Sequence, residues 1–238
     1  VAEELASEGA SLIICARNEE RLRVTAEEVQ QNTGAQVLPL RADVTNRDDI
    51  NKLVDAGIDR FGPIDILVTN AGGPPAGRFD QLSAEQWEQA ARLTLFSAIE
   101  LARAVLPGMK TQRWGRILNI TSIAVKQPVD NLILSNSLRA AVTGFARTLA
   151  NEVATEGITV NNILPGYTRT ERVEELAQQM AQKLGIKPDE FKNKWEQEIP
   201  MRRLGEPREF AALAAFLVSE RAAYITGTSI QVDGGWIR

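Results

Sequence analysis

Short apolar runs alternate along the chain with longer stretches whose apolar positions recur every three or four residues. The runs SLIICA (11–16), AQVLPL (35–40), DILVT (65–69), RILNIT (116–121), TVNNIL (159–164) and SIQV (229–232) read as strands. Helical spacing fills 18–32, 46–61, 84–111, 135–156, 171–184, 188–198 and 207–219. Gly34, Gly62-Pro63, Gly115, Gly157 and Gly185 stand where these segments stop. Alternation of this kind predicts βαβ units, hence an α/β fold with a doubly wound, mostly parallel sheet covered by helices on both faces. No repeat, low-complexity tract or linker divides the 238 residues, which predicts one domain. At the start, Val1, Ala2, Leu5 and Ala6 share one helical face and Gly9 reads as its stop, so the sequence opens within a helix.

Composition removes several function classes. Lys and Arg number 27 against 31 Asp and Glu, for a net charge of −4 with the signs interspersed. That balance offers no basic face for nucleic acid and no polybasic patch for a membrane. No apolar run nears the roughly 18–20 residues of a membrane span. Cys15 is the only cysteine, so an internal disulfide is impossible and a reducing, cytoplasmic setting is expected. Histidine is absent. Zinc sites with His ligands, Ser-His-Asp triads and Cys-His dyads are therefore excluded, and no metal is expected.

Candidate chemistry gathers at strand ends. DILVTNAGG (65–73) places Asn70, Ala71 and Gly72 just past a strand, the edge of an open α/β sheet where ligands bind. Taken alone this is equally a plain turn. Arg17 ends IICAR, where a basic residue can hold a 2′-phosphate or simply be solvated. Asp43 and Val44 close the next strand, Pro165-Gly166 with Thr168 and Thr170 follow the fifth, and ITGTSIQVDGGW (225–236) ends the chain.

In this order and spacing the set resembles the short-chain dehydrogenase/reductase family. The tail IPMRRLGEPREFAALAAFLVSERAAYITGTSIQVDGG is similar to the branch that contains 3-oxoacyl-(acyl-carrier-protein) reductases and sugar or polyol dehydrogenases. The resemblance implies a Rossmann-type sheet with strand order 3-2-1-4-5-6-7, a nicotinamide cofactor, a small carbonyl or alcohol substrate and a homo-oligomer, either tetramer or dimer. It implies that Arg17 favours NADP over NAD, and that Asp43 and Val44 face the adenine. Asn70, Ala71 and Gly72 would line the cofactor, Pro165 and Gly166 would pass the nicotinamide, and Thr168 and Thr170 would complete the site, Thr170 by bonding the carboxamide. Ser122, in NITSIAV, matches the family serine that bonds the substrate oxygen.

The family's Tyr-x-x-x-Lys pair belongs thirteen positions after that serine, where this chain reads Ser135-Asn136-Ser137-Leu138-Arg139. RAAVTGFARTLA (139–150) keeps the family's register, so Ser135 replaces the tyrosine and Arg139 the lysine. Thr94 replaces the family's asparagine. Tyrosine, with a pKa of about 10, can serve as an acid when a cation lowers it; serine is far weaker, and arginine does not exchange protons at neutral pH. Ser122, Ser135 and Arg139 could still form a fixed hole for an oxyanion. Lys126 and Tyr167 are the other candidate proton donors, each with a plain alternative as a solvated loop lysine and a pocket wall. Residues 171–200 carry Leu176, Met180, Leu184, Phe191 and Trp195 on an apolar side, as a substrate lid would.

Two functions follow as expectations. One is an atypical NADP(H)-dependent oxidoreductase acting on a 3-oxoacyl-like carbonyl or a secondary alcohol. The other is a catalytically weak relative that binds nucleotide or small molecules, or serves as an oligomer subunit. The family's first strand and phosphate-holding loop precede the matched region, which predicts roughly twenty residues ahead of Val1 with a short apolar strand and a glycine-rich turn.

Overall fold

The computed structural model describes residues 1–237, and every side chain among them except those at positions 172, 179 and 183. The expected strands form as β1 (Leu12–Ala16), β2 (Val37–Arg41), β3 (Ile66–Thr69), β4 (Gly115–Ile120), β5 (Ile158–Pro165) and β6 (Ser229–Val232). All of the pairings are parallel. The ladders make two sheets, β2–β1 and β3–β4–β5–β6. This is the expected order, interrupted between β1 and β3, where no strand lies among the described residues.

Helices α1 (Ala2–Ser7), α2 (Glu19–Thr33), α3 (Arg47–Phe61), α4 (Ala84–Ala91), α5 (Ser97–Gln112), α6 (Ile133–Val153), α7 (Glu171–Leu184), α8 (Pro188–Glu198) and α9 (Pro207–Val218) start and stop for local reasons. Asn18 caps α2 by accepting from the Arg21 N–H, and Asn46 caps α3 by accepting from the Asp48 N–H, each satisfying an end donor that has no partner within the helix. Gly34 and Gly185 close α2 and α7 in the left-handed conformation. The expected helix over 84–111 is interrupted by a π turn at Arg92–Phe96. RLTLF holds no glycine or proline, so the sequence carries no marker for that break. Helix α6 begins two residues earlier than its periodicity suggests. It gives way at Ala154–Glu156 to a 3₁₀ turn that ends on Gly157, where a Cβ would sit 2.3 Å from the Arg113 carbonyl oxygen.

Strand alternation sorts the core onto two faces. Leu118 and Ile163 join Leu5, Ala26, Val29 and Leu217 under α1, α2 and α9. Their neighbours Ile117 and Val160 join Val105, Met109, Ala146 and Ala150 under α5 and α6. Ile13 and Cys15 on β1 pack with Leu67 on β3, Ile50, Leu53 and Leu101, so shared apolar clusters hold the two sheets together where no ladder does.

On the α5/α6 face the apolar layer ends toward the carboxyl edge in a polar row. Thr69, Asn119, Asn162 and Ser229 lie in register across four strands. Thr69 Oγ1 donates to Asn119 Oδ1 at 2.7 Å, Asn119 Nδ2 to Asn162 Oδ1 at 3.2 Å, and Asn162 Nδ2 to Ser229 Oγ at 3.1 Å. Buried amides are costly without partners; here each hands a bond to the next, which ties the four strands together.

Candidate active site

The polar row underlies the segment that the sequence singles out. Arg139, on α6, reaches back to the end of β4. Its Nη1 donates to the carbonyls of Ile120 at 3.0 Å and Thr121 at 2.7 Å, and its Nε donates to Ser135 Oγ at 3.2 Å. Helical spacing of four residues puts the hydroxyl and the guanidinium on one face. No carboxylate pairs with Arg139 among the described residues. Burial lowers its pKa, yet a guanidinium stays charged at neutral pH, so its charge is carried by carbonyl and hydroxyl oxygens.

Ser135 Oγ accepts from this cation, which leaves its own O–H free to donate. Ser122 begins a 3₁₀ turn over Ile123–Val125, where its Oγ accepts from the Ala124 N–H at 3.1 Å, and its O–H is likewise free. Thr94 sits in the π turn with its hydroxyl buried and unpartnered among the described residues. It shares with Thr69, Ala71, Thr121 and Arg139 a cavity of ≈ 10 Å³, room for about one water. Of the residues that the sequence singles out, Ala71, Thr94 and Arg139 are thus brought together. Thr69 and Thr121 join them without any signal in the sequence beyond their place at strand ends.

Lys126 is not part of this cluster. It is exposed and donates to Gln231 on β6. Tyr167 lies instead against the apolar cluster of α7 and α8, stacked on Trp195 at 4.3 Å and tilted against Trp236 at 5.2 Å. Burial, and then the nearby Glu198 carboxylate, push its phenol up to about 12, which makes it a poor proton donor near neutrality.

The remaining candidates line the carboxyl edge. Arg17 is exposed and makes no ion pair among the described residues. Asp43 accepts from the Thr45 N–H and hydroxyl at 2.9 and 2.8 Å. Those bonds, and then Arg17 and Arg41, hold its carboxyl below the usual range. Val44 packs against the Ile50 cluster. Asn70 and Gly72 are exposed beyond β3. A Cβ added at Gly72 would meet nothing within 4 Å, so the protein's own packing does not require glycine there, and the open space suits a flat ligand approaching the backbone. At Gly166, next to Pro165, a Cβ would fall 2.7 Å from the Cβ of Asp233; glycine there has a packing reason of its own. Thr168 is buried and bridges to Gly205. Thr170 caps α7, accepting from the Val173 N–H at 3.4 Å.

Among the described residues no three or more His, Cys, Asp or Glu gather to hold a metal ion, and no helix is long and apolar enough to cross a membrane.

Known proteins share both sequence and shape with this chain. A family model described as Enoyl-(Acyl carrier protein) reductase matches residues 1–237. The 3-oxoacyl-[acyl-carrier-protein] reductase FabG of Haemophilus influenzae is 36% identical over 235 residues, spanning 99% of this chain and 91% of that protein. The L-sorbose reductase of Gluconobacter frateurii, solved with NADPH and L-sorbose, aligns with a TM-score of 0.95 at 33% identity, over 100% of this chain and 90% of the other. A 7 alpha-hydroxysteroid dehydrogenase solved with NADH and 7-oxo glycochenodeoxycholic acid aligns with a TM-score of 0.88 at 33% identity, over 98% and 87%.

Proposed function

Because the chain belongs to the short-chain dehydrogenase/reductase family, we propose that it is an atypical NADP(H)-dependent oxidoreductase. It reduces a 3-oxoacyl-like carbonyl or oxidises the corresponding secondary alcohol, working as a cytoplasmic homo-oligomer. The observation that carries this reading is Arg139, which joins the Ser135 hydroxyl to the end of β4 and so fixes a cationic donor group at the ligand edge of the sheet.

In this reading Arg17 holds the 2′-phosphate, Asp43 and Val44 face the adenine, and Asn70, Ala71, Gly72, Pro165, Gly166, Thr168 and Thr170 hold the rest of the cofactor. The nicotinamide, when bound, supplies the hydride. Ser122 and Ser135 donate hydrogen bonds to the substrate oxygen, and Arg139 and Thr94 stabilise the charge that develops there. With Lys126 tied to Gln231 and Tyr167 packed against α7 and α8, water delivers the proton. Loss of a positioned acid lowers rates by about 10²–10⁴-fold, so turnover is slow.

That same lack of an acid favours a second reading, a relative that binds nucleotide without efficient chemistry. NADPH oxidation measured against 3-oxoacyl thioesters, diketones, quinones and sugars separates the two. Turnover of one class supports the oxidoreductase; NADPH binding with no turnover of any class supports the binding protein.

A further inference from the structure

Asparagine is a weak choice one turn into a helix, because its amide competes with the backbone for hydrogen bonds. Asn136 stands there, the fourth residue of α6, between Ser135 and Ser137. Its side chain turns away from its own helix to a single residue of the preceding loop. Oδ1 accepts from the Val129 N–H at 3.3 Å, and Nδ2 donates to the Val129 carbonyl at 3.0 Å. One carboxamide thereby pairs with both backbone groups of one residue, as a neighbouring strand would. Both bonds are partly shielded from water.

Val129 lies within the segment that connects Ser122 to Ser135. After the 3₁₀ turn ends at Val125, residues 126–131 have no helix or strand of their own. Besides its own turn bonds, among them the Leu132 N–H donating to the Val129 carbonyl at 3.3 Å, the segment is held from outside. Lys126 bonds Gln231 at one end, and the Gly77 N–H donates to the Asn131 carbonyl at 2.7 Å near the other. Asn131 itself takes a positive φ of 60°, which asparagine tolerates better than most residues, and the chain reverses there into α6. Between those two ties the Asn136 carboxamide grips the loop at Val129.

We infer that Asn136 is a positioning residue: by clamping Val129 it fixes the 126–132 loop, and with it the placement of Ser122 relative to Ser135. The assignment of the two serines to the substrate oxygen rests on the proposed function; the clamp itself does not.

Amide hydrogen exchange of full-length Asn136→Ala and Asn136→Asp tests the clamp. Aspartate keeps the acceptor and loses the donor. The Val129 amide should exchange about tenfold faster in the alanine variant, and by an intermediate factor in the aspartate variant, with the core amides of β4 and β5 unchanged. On a substrate found in the panel, kcat should fall about tenfold in Asn136→Ala while NADPH affinity changes less than about twofold. Unchanged Val129 exchange in the alanine variant would overturn the clamp. Faster exchange with kcat intact would overturn the positioning role. If the parent protein binds NADPH but turns over nothing, the proposed function fails, and Val129 exchange alone still upholds or sinks the clamp.

Discussion

At the β1–β2 end of the carboxyl edge, the charged groups are exposed or half-buried and answer to near neighbours. Asp43 is satisfied by Thr45, two residues on, and Arg17 projects into solvent. At the β4–β5 end the groups are buried or half-buried and answer to distant segments. Arg139 bonds carbonyls eighteen and nineteen residues back, Thr94 arrives from a π turn, and Thr69 arrives from β3. The first end can change its chemistry by exchanging one side chain. The second cannot so readily, because Arg139 and Thr69 there also complete bonds to the Ile120 and Thr121 carbonyls and to Asn119.

The largest test of that contrast is to rebuild the buried end. Ser135→Tyr with Arg139→Lys should raise carbonyl reduction by about 10²-fold if a missing acid is what limits the rate, as read by NADPH consumption. If the double variant gains nothing and Ser135→Ala abolishes the parent's activity, serine is a working group and the vacancy at the tyrosine position is no defect.

Stability should separate the same two ends. Arg139→Met removes the donors of the Ile120 and Thr121 carbonyls and should cost about 2–4 kcal/mol in urea unfolding. Arg17→Ala should change the unfolding free energy by less than about 0.5 kcal/mol. Equal losses would erase the distinction between them.

Tyr167 tests whether the aromatic packed against α7 and α8 belongs to the chemistry or only to that packing. Its phenol is raised in the folded state to about 12, above an unfolded value of about 10. The associated stability is therefore complete below about pH 10 and is lost as pH climbs to about 12, an order of 2–3 kcal/mol in all. In a Tyr224→Phe background the remaining phenol should ionise near 12 by ultraviolet absorbance. An ionisation near neutrality would restore Tyr167 as a proton donor.

The smallest expected effect is at the exposed end. Arg17→Asp should reverse the order of NADPH and NADH affinities, with a change of about tenfold, or roughly 1.4 kcal/mol, measured by fluorescence titration at low salt. Equal affinities in the parent protein would remove Arg17 from the cofactor site.

Much of the fold could be read in advance from runs and spacings. All seven helical segments begin within a residue or two of their expected positions, and in six of them a cap or an opening proline marks the start: Asn18, Asn46, Ser83, Thr170, Pro188 and Pro207 each lead or open a helix. The break at Arg92–Phe96 could not be read, since no residue in it disfavours an α-helix strongly. Nor could the partner of Lys126, a candidate proton donor by sequence, whose side chain lies instead against Gln231, 105 residues away. Asn136 carries a faint signal, an amide where a helix gains nothing from one, but Val129 as its partner depends on how the loop folds back.

From the sequence alone came the alternation of strand and helix, the two-faced burial it demands, the exclusion of histidine chemistry, and the substitution of serine and arginine in the Ser135–Arg139 segment. The first three follow from composition and from periods of two and 3.6, which are properties of neighbouring residues; the fourth is what the family resemblance implies, through the register of residues 139–150. Only the tertiary structure decided that Thr69, Asn119, Asn162 and Ser229 form one row, that Arg139 spends its donors on β4 and Ser135, and that Tyr167 is locked among aromatic rings. Those arrangements depend on strand register and helix placement, which are settled by the packing of segments far apart in the chain.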